Sequence, residues 1–511
     1  MRVFIGTSNI ANAAMGLQQG FRDLGCAADV GLLSSNKYYS TENSIHIDSI
    51  PEGTQYAIDD NGDIRAVPGR GFYTFVERYD IFVFIASSTF LPAMLDLPVL
   101  KQLGKKIICF QTGSELRDPH ISMAMWAAYG HKYPMDMPQK KQKKHFFELQ
   151  AFDQDITKKL HNTRMAETYG DVICAHPGIF SLGLRPYFNI QMPLPLSRDL
   201  ENIPGRRRPL VVHAPTSRQY KGTGLVLEAF KTLQAEGVPF DFILLENLSN
   251  AEVRDKLREA DILVDQVGCG GLGMLALEGL ASGCMVLSGN SGIVPYPPDK
   301  PAISVTPSSL LERLRSAICD PARRHAYAES GHKWVEKYHT PAVIVQNLLE
   351  NFKREEAGDW DYFPTAYADM CPRRPGYPVP SPVRRMTFDL LKKYGLHPDC
   401  DPLKLYSVGA LPKDSKHLLK GLHKWSKTVI KRNGPWNWCS KRLPEPEFDP
   451  DSHTWLTEQE ALKHVDPDRK VFDRTAALSR VIDSFVELWQ ERRLSKRWRQ
   501  SVAGRADIFY E

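Results

Sequence analysis

Residues 261–287 contain an apolar strand, a glycine-rich turn, a helix and a second apolar strand, in that order. This order predicts a βαβ unit, in which a helix joins two parallel strands. Because Gly270, Gly271 and Gly273 lack side chains, the backbone N–H groups at the start of the helix are open to a ligand. These groups and the positive end of the helix dipole favour an anion. We therefore expect Gly271, Leu272 and Gly273 to bind phosphate.

A second strand, loop and helix unit occupies residues 210–230, with Lys221-Gly222-Thr223 at the expected start of its helix. A lysine there is unfavourable by roughly 0.3–1 kcal/mol, because a cation faces the positive end of the dipole. A diphosphate bound between the two would reverse the sign. Glu278 lies about a turn and a half into the helix of the first unit, where its carboxylate can accept sugar hydroxyls. Packing and dinucleotide binding remain open as other roles of such a glycine-rich turn.

These two stretches together resemble the C-terminal half of GT-B glycosyltransferases, specifically the retaining, family 4-like group that uses nucleotide-diphosphate sugars. The resemblance covers most of residues 1–355. In that family a Lys-Gly at the helix start binds the donor diphosphate, and a glutamate followed by a small-residue helix and Gly-x-x-Val binds the ribose. Lys221 and Glu278 match those two positions. The resemblance implies a sugar transferred with retention to a hydroxyl acceptor, with the nucleotide sugar as donor and with neither metal nor cofactor.

The chain departs from the family pattern at two positions. The first glutamate of that pattern, which usually contacts a sugar hydroxyl, falls at Gly270. The usual basic residue before the lysine falls near Thr216, so Arg218 is the nearest candidate for its role. A subgroup of the family carries Val-Asp-Gln before a glycine-rich turn, and Asp265 and Gln266 resemble that motif. The resemblance therefore adds both residues to the expected donor site.

Alternating short apolar strands and helical stretches predict an α/β fold with two Rossmann-like, doubly wound domains facing a cleft. Residues 1–198 are expected to form the acceptor-side domain and residues 205–340 the nucleotide-sugar domain. Residues 341–356 are expected to cross back to the first domain as a helix, and residues 357–511 to form a basic, partly helical extension. The clearest strands of the first domain are expected at residues 3–5, 81–85, 106–110 and 171–175.

Ligands of such sheets bind beyond the carboxyl ends of the strands, so the loops after these ends are expected to face the cleft. Gly6 opens the first of these loops, and His213 ends the first strand of the second domain. His213 is a candidate general base, although a hydrogen-bonded wall residue is the other reading. Residues 110–117 resemble the His-Gly-Ser-Asp-x-Arg loop that the family places near the sugar. Glu115 and Arg117 are therefore expected either to line the acceptor pocket or to pair on the surface.

Asp-x-Asp matches include those that begin at Asp153, Asp359 and Asp466, and this pattern binds a divalent metal in the other large glycosyltransferase fold. We discount all three as metal sites. The first lies in a charged helical stretch, the second in a Trp/Tyr/Pro-rich linker, and the third contains a proline. A metal-binding pair is expected to end a buried strand instead.

Nine cysteines, none spaced as Cys-x-x-Cys, fit reduced thiols better than a disulfide framework or a zinc site. The first residues lack the apolar stretch of a secretion signal, and apolar runs such as residues 81–86 are far below the ~20 residues that cross a bilayer. The expectation is a cytoplasmic protein, with peripheral attachment to a membrane as a further option.

Positive charge is concentrated in residues 371–442, where 16 Lys and Arg face four Asp and Glu, a net charge of +12 against +5 for the whole chain. DNA, an anionic membrane surface or a polyanionic glycan would each suit this segment, and a solvated basic face is the alternative. A further helix with an apolar stripe is expected over residues 476–489. Besides a transferase, a non-catalytic GT-B-like protein that binds nucleic acid or polyanionic glycan stays open. An NAD-dependent oxidoreductase is disfavoured because the opening loop lacks Gly-x-Gly-x-x-Gly.

Overall fold

The structure is a computed structural model, and its described residues are 1–33, 44–58, 64–113, 115–116, 153–176, 179–183, 186–194, 196, 206–267, 271–289, 296–297, 299–357, 359–362 and 454–456. Predictions for Arg117, Gly270, the Asp466 motif, the basic segment 371–442 and the helix over 476–489 lie outside them.

The first domain is built on a seven-stranded parallel sheet in the order β3-β2-β1-β6-β7-β8-β9. Its strands are β1 Arg2–Thr7, β2 Ala27–Leu32, β3 Ser44–Ile45, β6 Ile81–Ile85, β7 Lys106–Phe110, β8 Val172–Ala175 and β9 Phe188–Asn189. Its helices are α1 Ala13–Asp23, α2 Arg70–Val76, α3 Leu97–Gln102 and α4 Asp153–Tyr169. The strands are apolar because helices cover both faces, and all five residues of β6 are buried.

The second domain is a five-stranded parallel sheet in the order β11-β10-β12-β13-β14. Its strands are β10 Leu210–His213, β11 Asp241–Leu244, β12 Ile262–Val264, β13 Met285–Gly289 and β14 Ala302–Val305. Its helices are α5 Arg218–Lys221, α6 Thr223–Ala235, α7 Asn250–Glu259, α8 Met274–Ala281, α9 Leu310–Cys319 and α10 Pro321–His339. Strand β12, helix α8 and strand β13 form the expected βαβ unit, with β12 and β13 parallel.

Helix α11, Pro341–Ala357, follows the second domain along the chain but packs against α1 of the first. Ile344, Val345 and Leu348 join the core that also contains Leu17 and Phe21. A glycine of α1 makes the close approach possible, because a Cβ on Gly20 would lie 2.2 Å from the Pro341 carbonyl oxygen. The C-terminal end of the first domain contacts the residues just before α11, because the Leu194 N–H donates to the His339 carbonyl at 2.7 Å.

The C-terminal extension contributes to the first domain, which the sequence analysis did not foresee. Strands β4, Gln55–Ile58, and β5, Ile64–Val67, form an antiparallel pair, and β15, Thr454–Leu456, adds to β4. Residues 359–362 also dock there, because Tyr362 and Tyr187 exchange backbone hydrogen bonds. Both described parts of the extension therefore contact the first domain.

The Asp-x-Asp motif at Asp359 is used for structure. Both of its carboxylates pair with Arg354, Asp359 at 2.9 Å and Asp361 at 2.7 Å. Asp361 also accepts the Asn189 N–H at 2.8 Å. Its acidic groups thus pair with a cation of the protein, in keeping with the sequence-based rejection of this motif as a metal site.

Two doubly wound parallel sheets, with a helix that returns to the first domain, confirm the predicted α/β fold of the GT-B type. In the described part of the chain, no helix is long and apolar enough to cross a bilayer. The described residues also contain no group of three or more His, Cys, Asp or Glu side chains that could hold a metal ion.

Candidate functional site

A pocket of about 500 Å³ lies within the second domain. The strand order of its sheet reverses between β10 and β12, and ligands of open α/β sheets bind at such a reversal. The loops after β10 and β11 and the start of α8 line the pocket. The lining residues are Ala214, Pro215, Thr216, Arg218, Lys221, Leu245, Glu246, Asn247, Leu248, Asn250, Val253, Met274, Leu275 and Glu278.

Lys221 reaches the pocket from the last position of the short helix α5. Gly222 follows it with φ +69°, a left-handed conformation that favours glycine, and ends the turn so that α6 can begin. The Lys221 ammonium donates to Asp265 Oδ1 and lies 3.3 Å from Gln266 Oε1. The unfavourable charge at the helix start, inferred from the sequence, is therefore balanced in part by a carboxylate of the protein.

The glycine-rich turn is held by side chains on either side of it. Gln266 Nε2 donates to the Gly271 carbonyl at 2.5 Å, and the Leu272 N–H donates to Tyr296 Oη at 2.5 Å. The Leu272 N–H is thus used within the protein, whereas the sequence analysis expected it to face phosphate. Tyr296 was missed because nothing in the sequence marks a tyrosine 24 residues away as the partner of this turn.

Helix α8 begins after Gly273, and no side chain caps its N-terminus among the described residues. Within the described part of the chain, the first N–H groups of the helix and its dipole therefore remain available to an anion at the edge of the pocket. Lys221 is close by, because a Cβ on Gly273 would lie 3.3 Å from its Nζ. The structure thus brings together the lysine and the bare helix start that the sequence analysis selected separately.

Glu278 lines the same pocket from the second turn of α8 and is 7% exposed. Burial raises the pKa of its carboxyl group, and a hydrogen bond from Asn250 Nδ2 to Glu278 Oε1, at 2.8 Å, opposes that shift. Asn250 is placed at the start of α7 by a capping box between Ser249 and Glu252. The sequence carries that capping signal, but the contact with Glu278 required the fold.

Arg218 lies at the edge of the pocket and is paired with Glu246. Its guanidinium makes two hydrogen bonds to that carboxylate, Nε to Oε1 at 2.7 Å and Nη2 to Oε2 at 2.6 Å. Because the Arg218 side chain is 60% exposed, its ion pair with Glu246 contributes little to stability. Another anion could therefore replace Glu246 as the partner of Arg218. Glu246 was not selected from the sequence.

His213 is a buried wall residue in this structure. Its Nδ1 lies 2.7 Å from the Val264 carbonyl oxygen and its Nε2 lies 2.9 Å from Thr223 Oγ1, so both ring nitrogens have partners. Burial lowers the pKa of the imidazole, which favours the neutral ring. This geometry matches the structural reading of His213 rather than that of a general base.

Gly6 and Glu115, the two first-domain candidates among the described residues, have contacts within their own strands and loops. A Cβ on Gly6 would lie 2.3 Å from the Gly31 carbonyl oxygen, so this glycine permits close packing of β1 and β2. Glu115 Oε1 accepts the N–H groups of Thr112 at 2.6 Å and Gly113 at 2.8 Å, and thereby closes its own loop. Neither Gly6 nor Glu115 belongs to the pocket of the second domain.

No family model and no curated protein matches the chain. Among solved structures, the chain is similar to sucrose-phosphate synthase from Thermosynechococcus elongatus, with 11% identity, 70% of this chain and 99% of that chain covered, and a TM-score of 0.39. A Staphylococcus aureus TarM mutant in complex with fondaparinux, α-GlcNAc-glycerol and UDP has 8% identity, coverages of 69% and 99%, and a TM-score of 0.42. A Listeria monocytogenes protein assigned as a UDP-N-acetylglucosamine 2-epimerase has 10% identity, coverages of 71% and 98%, and a TM-score of 0.37.

Proposed function

We propose that this protein is a glycosyltransferase that moves a sugar from a nucleotide-diphosphate sugar to a hydroxyl acceptor. One observation supports the proposal most directly. Lys221 and Glu278 line a single pocket at the strand-order reversal of the second sheet, and the uncapped start of α8 lies beside them. This combination provides a cation and a helix dipole for a diphosphate. It also provides a carboxylate that can accept hydrogen bonds from sugar hydroxyls.

The donor diphosphate is proposed to lie between Lys221 and the start of α8. An ammonium has three N–H donors, and the contacts to Asp265 and Gln266 leave one for a phosphate oxygen. Negative charge on the diphosphate rises as the glycosidic bond breaks, so fixed donors aimed at it stabilise the transition state more than the ground state. Arg218 would add a second cation if it exchanged Glu246 for phosphate.

The nucleoside is proposed to occupy the remaining part of the pocket. Glu278 is proposed to accept ribose hydroxyls, and the hydrogen bond from Asn250 supports this role by orienting its carboxylate. Leu245, Leu248 and Val253 provide an apolar surface for the base. Because the cation and the helix dipole supply charge for the leaving group, we propose transfer without a metal ion. Retention at the anomeric carbon is proposed from the resemblance to the retaining, family 4-like group.

Calorimetric titration with UDP and GDP, together with product formation from UDP-glucose, UDP-N-acetylglucosamine and GDP-mannose, tests the proposal. Lys221→Met is expected to reduce transfer about 100-fold or more, as loss of a donor to a developing anion does in other enzymes. The matched control is Lys231→Met, which changes an exposed lysine on the adjacent helix α6. Nucleotide binding without donor breakdown would instead support the non-catalytic alternative, and equal activity of the two variants would contradict the proposal.

The reaction course has its own tests. Turnover that persists in EDTA is expected, and a product with the anomeric configuration of the donor, seen by NMR, is expected for retention. Loss of activity in EDTA with recovery on adding Mg²⁺ or Mn²⁺ would contradict the metal-free course. An inverted product would contradict retention while leaving the transferase proposal intact.

The acceptor is proposed to be anionic, or attached to an anionic carrier, and to contact the basic segment 371–442. The supporting observation is that the chain touches the first domain on both sides of this segment, at Tyr362 and at β15. Binding of the full chain to DNA, to vesicles containing phosphatidylserine and to heparin, at low and high salt, distinguishes the carriers. Salt-insensitive turnover with none of these bound would contradict an anionic acceptor.

A further inference from the structure

Asp265 carries a buried polar atom that the described protein does not satisfy. The residue follows strand β12 and is fully buried. Its Oδ1 accepts from Lys221, but its Oδ2 has no hydrogen-bond partner among the described residues. A buried carboxylate oxygen without a donor is costly, and native proteins retain such groups where a ligand or another function uses them.

The unsatisfied oxygen faces the space left by the missing side chain of Gly273. A Cβ built on this glycine would lie 3.1 Å from Asp265 Oδ2, 3.3 Å from Lys221 Nζ and 3.7 Å from Gln266 Oε1. Three polar atoms, two from the loop after β12 and one from the end of α5, therefore surround the space that a side chain of residue 273 would occupy. We call this space the Gly273 cradle.

The polar atoms around the Gly273 cradle select the group that fits it. Asp265 Oδ2 and Gln266 Oε1 are both acceptors, and the carboxylate disfavours a phosphate oxygen at this point. A hydroxyl group fits, because it can donate its proton to Asp265 Oδ2. We infer that the Gly273 cradle binds one hydroxyl of the donor sugar, next to the diphosphate, and that Asp265 is a specificity-determining residue. This inference rests on the proposed function.

The inference gives Asp265 two effects of opposite sign. Its negative charge offsets that of Lys221 and thereby weakens binding of a bare nucleoside diphosphate. Its Oδ2 binds the sugar hydroxyl and thereby strengthens binding of the nucleotide sugar relative to the bare nucleotide. A residue with only a structural role would weaken both ligands together when it is replaced.

Asp265→Asn separates these effects, because asparagine keeps the shape and removes the charge. The variant is expected to bind UDP or GDP about threefold more tightly or better, since Lys221 loses its counter-charge. The affinity of the matching nucleotide sugar, relative to the bare nucleotide, is expected to fall about 10-fold with the loss of a charge-assisted hydrogen bond.

Gly273→Ala is the second variant, because its methyl group fills the Gly273 cradle and cannot donate a hydrogen bond. It too is expected to lower the preference for nucleotide sugar over bare nucleotide. Gly71→Ala is the matched control, since a Cβ there meets nothing within 4 Å, and it should leave this ratio unchanged. Circular dichroism melting of every variant verifies folding.

Calorimetry uses UDP, GDP, UDP-glucose, UDP-N-acetylglucosamine and GDP-mannose, followed by monodeoxy forms of whichever sugar the wild type binds. The wild type should lose about 10-fold in affinity for one deoxy form, and Asp265→Asn should not distinguish it from the parent sugar. If Asp265→Asn lost affinity equally for the bare nucleotide and for the nucleotide sugar, the inference would be overturned. The inference would also be overturned if the wild type bound every deoxy form as tightly as the parent sugar. That result would mean that water occupies the Gly273 cradle. A wild type that binds no nucleotide at all would overturn the proposed function as well.

Discussion

The carboxyl edges of the two sheets carry similar polar residues but use them differently. In the first domain, Glu115 accepts two N–H groups of its own loop, and Gly6 only allows two strands to approach. In the second domain, Asp265 keeps an unsatisfied buried oxygen beside the uncapped start of α8. Asp265, from the loop after β12, and Lys221, from the end of α5, are also brought into contact with each other.

This difference distinguishes residues that stabilise a loop from residues that we propose to bind a ligand. Hydrogen bonds within a loop satisfy its polar groups before any substrate arrives, whereas an unsatisfied buried group gains its partner only on binding. The first edge has such groups as well, since Gln111 Nε2 and Asn189 Oδ1 are buried without a hydrogen-bond partner among the described residues. Gln111, which sequence analysis did not select, is therefore a better acceptor-side candidate than Glu115.

The largest expected contrast is between the two glutamates. Glu278→Gln should lower kcat/KM about 100-fold, because the ribose loses a charged acceptor. Glu115→Gln should stay within about threefold of the wild type, since the new amide oxygen still accepts both N–H groups of its loop. Steady-state kinetics on the nucleotide sugar identified by binding measures both values. A larger loss in Glu115→Gln would reverse the comparison of the two edges.

The effect of pH on unfolding, through His339, tests whether the two domains unfold together. His339 is the last residue of α10, at the point where the chain leaves the second domain and returns to the first domain. Its pKa is lowered to about 4 by burial, so the folded protein resists protonation that the unfolded chain accepts near its ordinary value of 6.5. The stabilising contribution is present above pH 6.5 and is lost as the pH falls towards 4. That loss should reach about 3 kcal/mol.

Urea unfolding at pH 7 and pH 4.5 measures this contribution, with His339→Gln as the reference that does not titrate. The wild type should lose more unfolding free energy between these pH values than the variant does. If the wild type and the variant lost the same unfolding free energy, the His339 imidazole would not be held neutral in the folded protein. Separate transitions for the two domains would show that the join does not couple them.

A smaller effect is expected from the ionisation of Glu278. Burial raises its pKa above the ordinary 4.5, so its carboxylate is protonated at a higher pH than an exposed glutamate. Affinity for UDP or GDP should fall by up to about tenfold per pH unit below that pKa, because a protonated carboxyl is a weaker acceptor. The nucleotide phosphates titrate too, so the pH dependence of Glu278→Gln is subtracted. Identical profiles would contradict ribose binding by the carboxylate.

The smallest expected effect concerns the strand that the C-terminal extension adds to β4. Replacing residues 454–456 with Gly-Pro-Gly should remove the backbone pairing, whereas Thr-Val-Thr should preserve it. Hydrogen exchange of the amides at residues 55–58 should accelerate several-fold in the first variant alone. Unchanged exchange in both would mean that this strand does not protect the hairpin.

Patterns in the local sequence predicted most of the fold. Alternating apolar strands and helices, the glycine-rich turn before α8 and the glycine after Lys221 are patterns within a few residues, and they located β6, β7 and the βαβ unit correctly. Element ends were less accurate. The spacing of Ala13, Leu17, Phe21 and Leu24 indicates a helix up to Gly25, whereas α1 ends at Asp23 and leaves Leu24 41% exposed. Periodicity reports the buried face of a helix but not the point at which tertiary packing stops.

The sequence by itself determined two doubly wound domains and selected Lys221 and Glu278, because turn chemistry and hydrophobic period are encoded in neighbouring residues. Only the tertiary structure decided that Asp265 pairs with Lys221, that Tyr296 occupies the Leu272 N–H and that β15 joins β4. These partners are far apart in the chain and become neighbours through the strand order. Side-chain hydrogen bonding, which sets what remains free for a ligand, is fixed only at that level.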